Sequence, residues 1–457
     1  MSRITPANGG LDSSRLARFA AAERERFIAA NPRSQALAER SARHWLMGSP
    51  LHWMNDWSTP FALHVAQASG CRVTDVDGHE RVDFCLGDTG AMFGHASPPV
   101  VEAVRAQMAR GCTTMLPTED AAWVGEELAR RFGLPFWQSA MTASDANRFL
   151  LRWVRAATGR SRLVVFNGCY HGTVDDVFVD LVGGRPQVRD SLLGQVHDLT
   201  AHTTVIEFND LPALAAALAG GDVACVLAEP VMTNIGMVLP DPGYWAAAQA
   251  LIRAHGALLV LDETHTLSSG PGGYARAHGL APDALVLGKP IAGGVPCAVY
   301  GFSEELARRA AAAKRSAPPG HSGIGTTLTA SMLAMAALRA TLAEVATPQA
   351  HARMTERCTQ VAEGLRAALS RHGLPWCVTQ VGARCEFQFG PRPPRNGSEA
   401  GALARPALEH LVHLALLNRG VMITPFHNML LASPVTAESD VALLLAAFDE
   451  VLGALRG

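Results

Sequence analysis

Lysine occurs twice in this sequence, at Lys289 and Lys314, and every other cationic side chain is arginine. Chemistry that needs a primary amine therefore has two candidates. Lys289 follows the apolar run 284–287 and precedes the turn-rich stretch 290–294, which places it at the C-terminal edge of a sheet, where open α/β sheets bind ligands. Lys314 keeps company with Arg308, Arg309 and Arg315 and reads as part of a solvated helical face. Asp262 directly follows the near-apolar run 256–261, so a second strand delivers a carboxylate to the same edge. Either residue alone has a plain explanation, a lysine covering a strand end or an acid capping the next helix. Together they match what a pyridoxal cofactor requires: an amine for a Schiff base and an acid for the ring nitrogen, so that the ring can accept an electron pair. Thr142-Ala-Ser-Asp-Ala-Asn147 opens a helix with small and hydroxyl residues, a suitable seat for a phosphate, though Ser144 or Asp145 could equally be an ordinary cap. In Tyr170-His171-Gly172 an aromatic ring stands just past another strand, as a stacking partner or a rim residue.

The elements that must carry these groups are short, apolar and free of charge, at 163–166, 204–206, 224–228, 257–261, 284–287 and 298–301. Such runs read as strands buried on both faces. Helical patterns at 146–157, 211–218 and 244–254 alternate with them, which predicts an α/β fold with a mostly parallel sheet wrapped by helices. Beyond residue 320 the pattern becomes helices at 330–345 and 352–371, a strand at 384–390, a loop at 391–400, and helices at 411–418 and 441–455. The expected organisation is an N-terminal segment over 1–70, a large α/β domain over 71–330 and a small α+β domain over 331–457, with the N-terminal segment packing beside the small domain.

The 457 residues, 48% hydrophobic and 18% charged, are those of a chain with a large buried core. A formal charge of −2 gives no basic face for nucleic acid or an anionic membrane. The nine cysteines form no CxxC pair and no metal-site spacing, and their odd number fits a reducing compartment. The N-terminus lacks the apolar stretch of a signal peptide, and no run nears the roughly 18 apolar residues of a membrane span. A cytoplasmic location is expected. There is no GxGxxG after the first strands and no GxxxxGK[ST], which argues against a dinucleotide or P-loop enzyme.

The order of these motifs, from the 142–144 turn through Tyr170-His171-Gly172, Glu229-Pro230 and Asp262-Glu263 to Gly288-Lys289, resembles the class III aminotransferases of PLP fold type I. That group includes the glutamate-1-semialdehyde aminomutases and the β-amino-acid transaminases. The resemblance runs from about residue 70 to the C-terminus. It implies a seven-stranded-type sheet, pyridoxal 5′-phosphate as cofactor, Lys289 as Schiff-base lysine and proton shuttle, and Asp262 as the ring-nitrogen partner. It further implies Thr264 and Tyr170 on the two ring faces, Glu229 and Asn234 beside the ring, and Thr142, Ala143 and Ser144 at the phosphate. Thr327 aligns with a residue that reaches the phosphate from a partner subunit, which implies a homodimer with composite sites. The sequence departs from the family at Ala143, where glycine is usual, and at Thr264-His265. A lone histidine such as His265 reads as a structural hydrogen-bonder.

The mechanism expected is transamination between small-molecule amine and carbonyl substrates, with ping-pong kinetics. An intramolecular aminomutase or racemase would use the same residues without a second carbonyl substrate. A non-catalytic pyridoxal-phosphate protein of regulatory or structural role is the alternative of another class, which the joint presence of Lys289 and Asp262 disfavours. For a substrate carboxylate, Arg384 and Arg395 are candidates, each set against a surface role. Trp57, with Trp53 and Asp88-Thr89, aligns with segments lining the substrate side in relatives, or serves packing. His427 with Phe426 stands where some relatives carry an arginine.

Overall fold

The computed structural model describes residues 11–456. Residues 1–10, where the expectation of no signal peptide begins, and Gly457 lie outside the described residues. All the apolar runs anticipated between residues 163 and 301 are strands of one seven-stranded sheet. In chain order its strands are β1 (Phe136–Ala140), β2 (Arg162–Phe166), β3 (Thr203–Ile206), β4 (Val223–Ala228), β5 (Leu258–Asp262), β6 (Ala284–Leu287) and β7 (Ala298–Phe302). They lie in the order β1-β7-β6-β5-β4-β2-β3. β7 runs antiparallel to β6 and β1, and the remaining pairings are parallel. Every residue of β4, β5 and β6 is buried, as strands covered on both faces require. β1 is the strand that sequence periodicity misses. It reads Phe-Trp-Gln-Ser-Ala, lies at an edge, and buries only Ala140.

Helix α1 (Ala143–Thr158) follows β1. It buries Ala146, Asn147, Phe149, Leu150, Leu151 and Val154 along one face and ends at Gly159, whose φ of 67° suits a left-handed cap. The helices Leu211–Leu218 and Tyr244–Ala254 have the predicted limits. The pattern at 330–345 resolves into helix Met332–Ala340 and a widened π turn, Thr341–Val345. These elements form one compact unit, Pro98–Pro348 with Pro394–Ala402.

The other unit comprises the described residues before Pro98, Gln349–Pro393, and those from Leu403 onward. It is α+β. One sheet holds Val65–Ser69, Arg72–Asp75, Glu80–Asp83 and Val421–Met422, and another holds Cys377–Val381, Arg384–Gln388 and Met429–Leu431. Composition, from which limits at residues 70 and 330 are drawn, does not register strand pairing, and Glu80–Asp83 pairs with Val421–Met422 across most of the sequence. Phe27, Val73, Leu414, Leu417 and Met422 form a core cluster there, with Trp57 and Phe61 packed on it.

Candidate active site

Strand register brings the chemistry-bearing residues of the sheet unit together. Asp262 is opposite Val286 on β6, and Leu261 is opposite Ala228 on β4. Lys289, Asp262 and Glu229 therefore leave three adjacent strands at their C-terminal ends. Gly288 shows how closely the next layer approaches: a Cβ there would lie 2.7 Å from the Ala143 methyl and 3.2 Å from Thr264 Oγ1. The 142–144 turn, Thr264 and the lysine turn thus converge on one spot. Lys289 has a φ of 38°, a left-handed conformation that side chains with a Cβ rarely adopt. Such conformations cost about 1–3 kcal/mol and cluster at functional sites.

Asp262 is buried and accepts four hydrogen bonds. Asn147 Nδ2 (2.8 Å) and His171 Nδ1 (3.1 Å) donate to Oδ2, and the Thr264 amide (3.0 Å) and hydroxyl (2.6 Å) donate to Oδ1. Burial alone would push its carboxyl up, but His171, Thr264 and Asn147 outweigh it and hold Asp262 at about 2. Burial likewise disfavours a charged His171, yet Asp262 beside it raises that imidazole well above its ordinary range. The environment at the strand tip therefore favours the carboxylate form of Asp262. The neighbouring Glu263 is enclosed differently: the Tyr274 and Ala275 amides and the Thr266 hydroxyl donate to it, and burial lifts it to about 7. Burial also raises Glu229, whose carboxylate accepts from Thr233 Oγ1 (2.5 Å) and Asn234 Nδ2 (3.2 Å).

At the start of α1 the cap is Thr142, rather than Ser144 or Asp145, with Oγ1 accepting from the Asp145 amide at 3.2 Å. A helix N-terminus leaves first-turn amides without intrahelical partners and carries a positive dipole end. Ala143 enters the helix without a positive φ, so glycine's backbone freedom is not needed at this position. Ser144 Oγ accepts from the Thr173 amide at 3.0 Å and ties the turn to the loop bearing Tyr170. Gly172, with φ +81°, lets that loop close: a Cβ there would lie 2.1 Å from Ser144 Oγ. Gly172→Ala is expected to destabilise the protein by about 2–4 kcal/mol, from overpacking and left-handed strain together. Equilibrium denaturation measures this, and a variant within 0.5 kcal/mol of the parent, about the usual range for a surface substitution, would show that the loop has room to shift.

Lys289, Asp262, Glu229, Asn234, Thr264, Tyr170 and the 142–144 turn all belong to this unit, as does Thr327, which is exposed in the irregular stretch before helix Met332–Ala340. Tyr170 is 39% exposed. The three substrate-side candidates belong to the other unit. Trp57 packs on the core cluster. His427 Nδ1 meets Glu386 Oε1 at 3.0 Å, and although burial lowers its affinity for a proton, Glu386 raises it further. The surface role weighed for Arg384 is excluded: it is 1% exposed, in a strand buried throughout and paired on both sides, and donates to Thr89 Oγ1 at 2.5 Å. Arg395 is the surface arginine, paired with Asp241.

Sequence reasoning assigned no role to Asn147 or His171, both of which grip Asp262. Asn147 is a polar residue on the buried stripe of α1, and a buried amide needs a partner, which is the signal that could have found it. His265 was expected to be a structural hydrogen-bonder. It is buried, but its Nε2 lies 2.9 Å from Lys289 Nζ.

The chain is similar to known proteins over most of its length. A family model described as aminotransferase class-III matches residues 53–452. The chain is similar to a glutamate-1-semialdehyde 2,1-aminomutase of Sorangium cellulosum (strain So ce56), with 34% identity over 399 residues, covering 86% of this chain and 89% of that protein. Among solved structures it is similar to a glutamate-1-semialdehyde-aminomutase from Pseudomonas aeruginosa PAO1, with a TM-score of 0.96 and 50% identity, covering 98% of this chain and 100% of that one. A lysine-to-alanine variant of the Pseudomonas protein, in complex with PMP, superposes with the same TM-score at 49% identity, covering 98% and 100%. A β-phenylalanine aminotransferase from Variovorax paradoxus gives a TM-score of 0.85 at 26% identity, covering 96% and 97%.

Proposed function

We propose that this chain, which belongs to the class-III aminotransferase family, is a pyridoxal-phosphate enzyme that moves an amino group within a single substrate, as the glutamate-1-semialdehyde 2,1-aminomutases are named for doing. The observation that carries the cofactor assignment is that Lys289 and Asp262 leave adjacent strand tips, with Asp262 buried and held by four hydrogen-bond donors. The donor set fits the group: an amine, a buried anion, a helix N-terminus, and a close approach at Gly288 that admits no side chain. Bound there, pyridoxal phosphate supplies a ring that takes up the electron pair left when a substrate C–H bond breaks.

The chain's own residues have distinct tasks. Lys289 Nζ holds the cofactor covalently and, once released, takes a proton from substrate carbon and returns it elsewhere. Asp262 holds the ring nitrogen in its protonated form, and His171, Asn147 and Thr264 fix the carboxylate that does so. Thr142, Ala143, Ser144 and the first turn of α1 hold the phosphate. Tyr170 and Thr264 would flank the ring, and Glu229 and Asn234 would be the groups available beside it. Thr327 completes the phosphate site of a second copy in a homodimer. Trp57, Arg384 and His427 are the substrate-side candidates of this proposal. Among the described residues no helix is long and apolar enough to cross a membrane, and all nine cysteines are free.

Transfer between two substrates, the expectation from motifs alone, is displaced as the leading reading by the similarity to proteins named aminomutases, one of them matching nearly the whole chain. Enzyme supplied with glutamate 1-semialdehyde and no other carbonyl compound is expected to shift the amino group from carbon 2 to carbon 1, an isomerisation followed by NMR. Turnover that stops until a 2-oxo acid is added would establish the transaminase instead. Change of configuration at carbon 2 alone would mark a racemase.

A further inference from the structure

The contact between His265 and Lys289 has no part in the scheme above. We infer that His265 is the positioning residue for the released Lys289 amine, its imidazole Nε2 accepting a hydrogen bond from Nζ and so stabilising the amine in its protonated form. The inference rests on Lys289 being the cofactor lysine. The two atoms lie 2.9 Å apart. His265 is 5% exposed, in the turn that follows Asp262 at the tip of β5, and its backbone carbonyl accepts from the Ser268 amide and hydroxyl. Those bonds fix the backbone from which the ring projects. Lys289 leaves β6 through a left-handed residue, so both partners are directed by their backbones.

The consequence is chemical. When Lys289 takes a proton, –NH₂ becomes –NH₃⁺ in a half-buried place, where a charge without partners is costly. A neutral imidazole with its proton on Nδ1 offers a lone pair at Nε2. It accepts from the new ammonium, holds Nζ in one position, and leaves the amine neutral again when the proton is passed on. No proton is gained or lost overall. Ionisable groups on the elements meeting here include Asp262, His171 against it, Glu263 enclosed by its own loop, Glu229 at the tip of β4, Asp145 in the first turn of α1 and Tyr170 in the loop tied to that turn.

Having only two lysines makes a direct test possible. Full-length protein loaded with pyridoxamine phosphate leaves Lys289 without a covalent bond to the cofactor. Competitive acetylation across pH, read by mass spectrometry, then gives the titration midpoint of Lys289, with the exposed Lys314 as internal reference. A hydrogen bond that favours the ammonium raises the midpoint, so His265→Leu is expected to lower it by about one pH unit, a tenfold change, and to leave Lys314 unmoved. His265→Gln, whose amide oxygen can accept, should recover at least half of that shift. His265→Asn, too short to reach Nζ, should behave as Leu does, and replaces it if the Leu variant does not fold. An unchanged Lys289 midpoint in the folded Leu or Asn variant overturns the inference, even if thermal stability falls. Failure of the underlying assignment looks different: borohydride reduction of protein loaded with pyridoxal phosphate would then fix the cofactor on Lys314 or nowhere, rather than on Lys289.

Discussion

Lys289→Ala is expected to lower turnover by about 10⁴-fold or more, because in the proposed scheme one substitution removes both the covalent anchor and the proton carrier. Lys314 cannot replace it, being exposed at the C-terminal end of helix Glu304–Ser316. Lys289→Arg should fail almost as completely, since a guanidinium stays protonated at any working pH and can serve neither as base nor as nucleophile. Both variants should still fold, because no core side chain is removed and alanine meets the same φ of 38° that lysine already tolerates. Both should still bind pyridoxal phosphate without covalent attachment, through the Asp262 anion and the N-terminus of α1. The visible spectrum separates the cases: the absorbance of the covalent form should be missing although cofactor remains bound after gel filtration. Turnover by Lys289→Ala within tenfold of the parent would remove the lysine from the mechanism.

Much of this site was legible because its residues stand at the ends of strands, and buried strands announce themselves. The runs 284–287 and 256–261 are nearly unbroken apolar stretches, so Lys289 and Asp262 just beyond them could be placed on a sheet edge from the sequence, whereas Glu229 is reached only through the resemblance. Register then supplies what periodicity cannot, that the strand carrying Asp262 lies between those that lead to Lys289 and Glu229. β1 escaped notice because an edge strand need not be apolar, and Gln138 and Ser139 break the run. For Arg384 the surface role fails for a different reason. Among so many arginines most lie on the surface, but the strand Arg384–Gln388 lies between two others and is buried throughout. The partners of Asp262 were hidden because hydrogen bonds spanning 91 and 115 residues, to His171 and Asn147, leave no local pattern. His265 was underweighted because a histidine's meaning lies in what its ring nitrogens face, and the sequence gives only its neighbours along the chain.

Asp262→Asn is the substitution that separates charge from shape. The amide matches the carboxylate in size, so a purely steric role would survive it. A unit charge at an ion-pair distance of about 4 Å from a protonated ring nitrogen, at an effective dielectric near 20, would contribute about 4 kcal/mol, or about 10³-fold in rate. A loss of that order in kcat is therefore expected. Some destabilisation should accompany it, because Asp262 accepts four hydrogen bonds, and an amide nitrogen turned toward any of those donors leaves it unsatisfied at about 1–3 kcal/mol. His171, deprived of its anion, should fall back toward the neutral form that burial favours. The pH dependence follows from sign. Asp262 is held at about 2, below the usual carboxylate value of 3.8. The stability its ionisation contributes is thus complete above about pH 4 and lost only as pH falls through 2. Across the range where the enzyme can be assayed the carboxylate does not titrate, so the acid limb of the parent's rate profile belongs to another group, and Asp262→Asn should lower the profile without moving that limb. A variant whose kcat stays within tenfold of the parent at neutral pH would mean that the ring nitrogen does not depend on this anion, however well placed it is at the tip of β5.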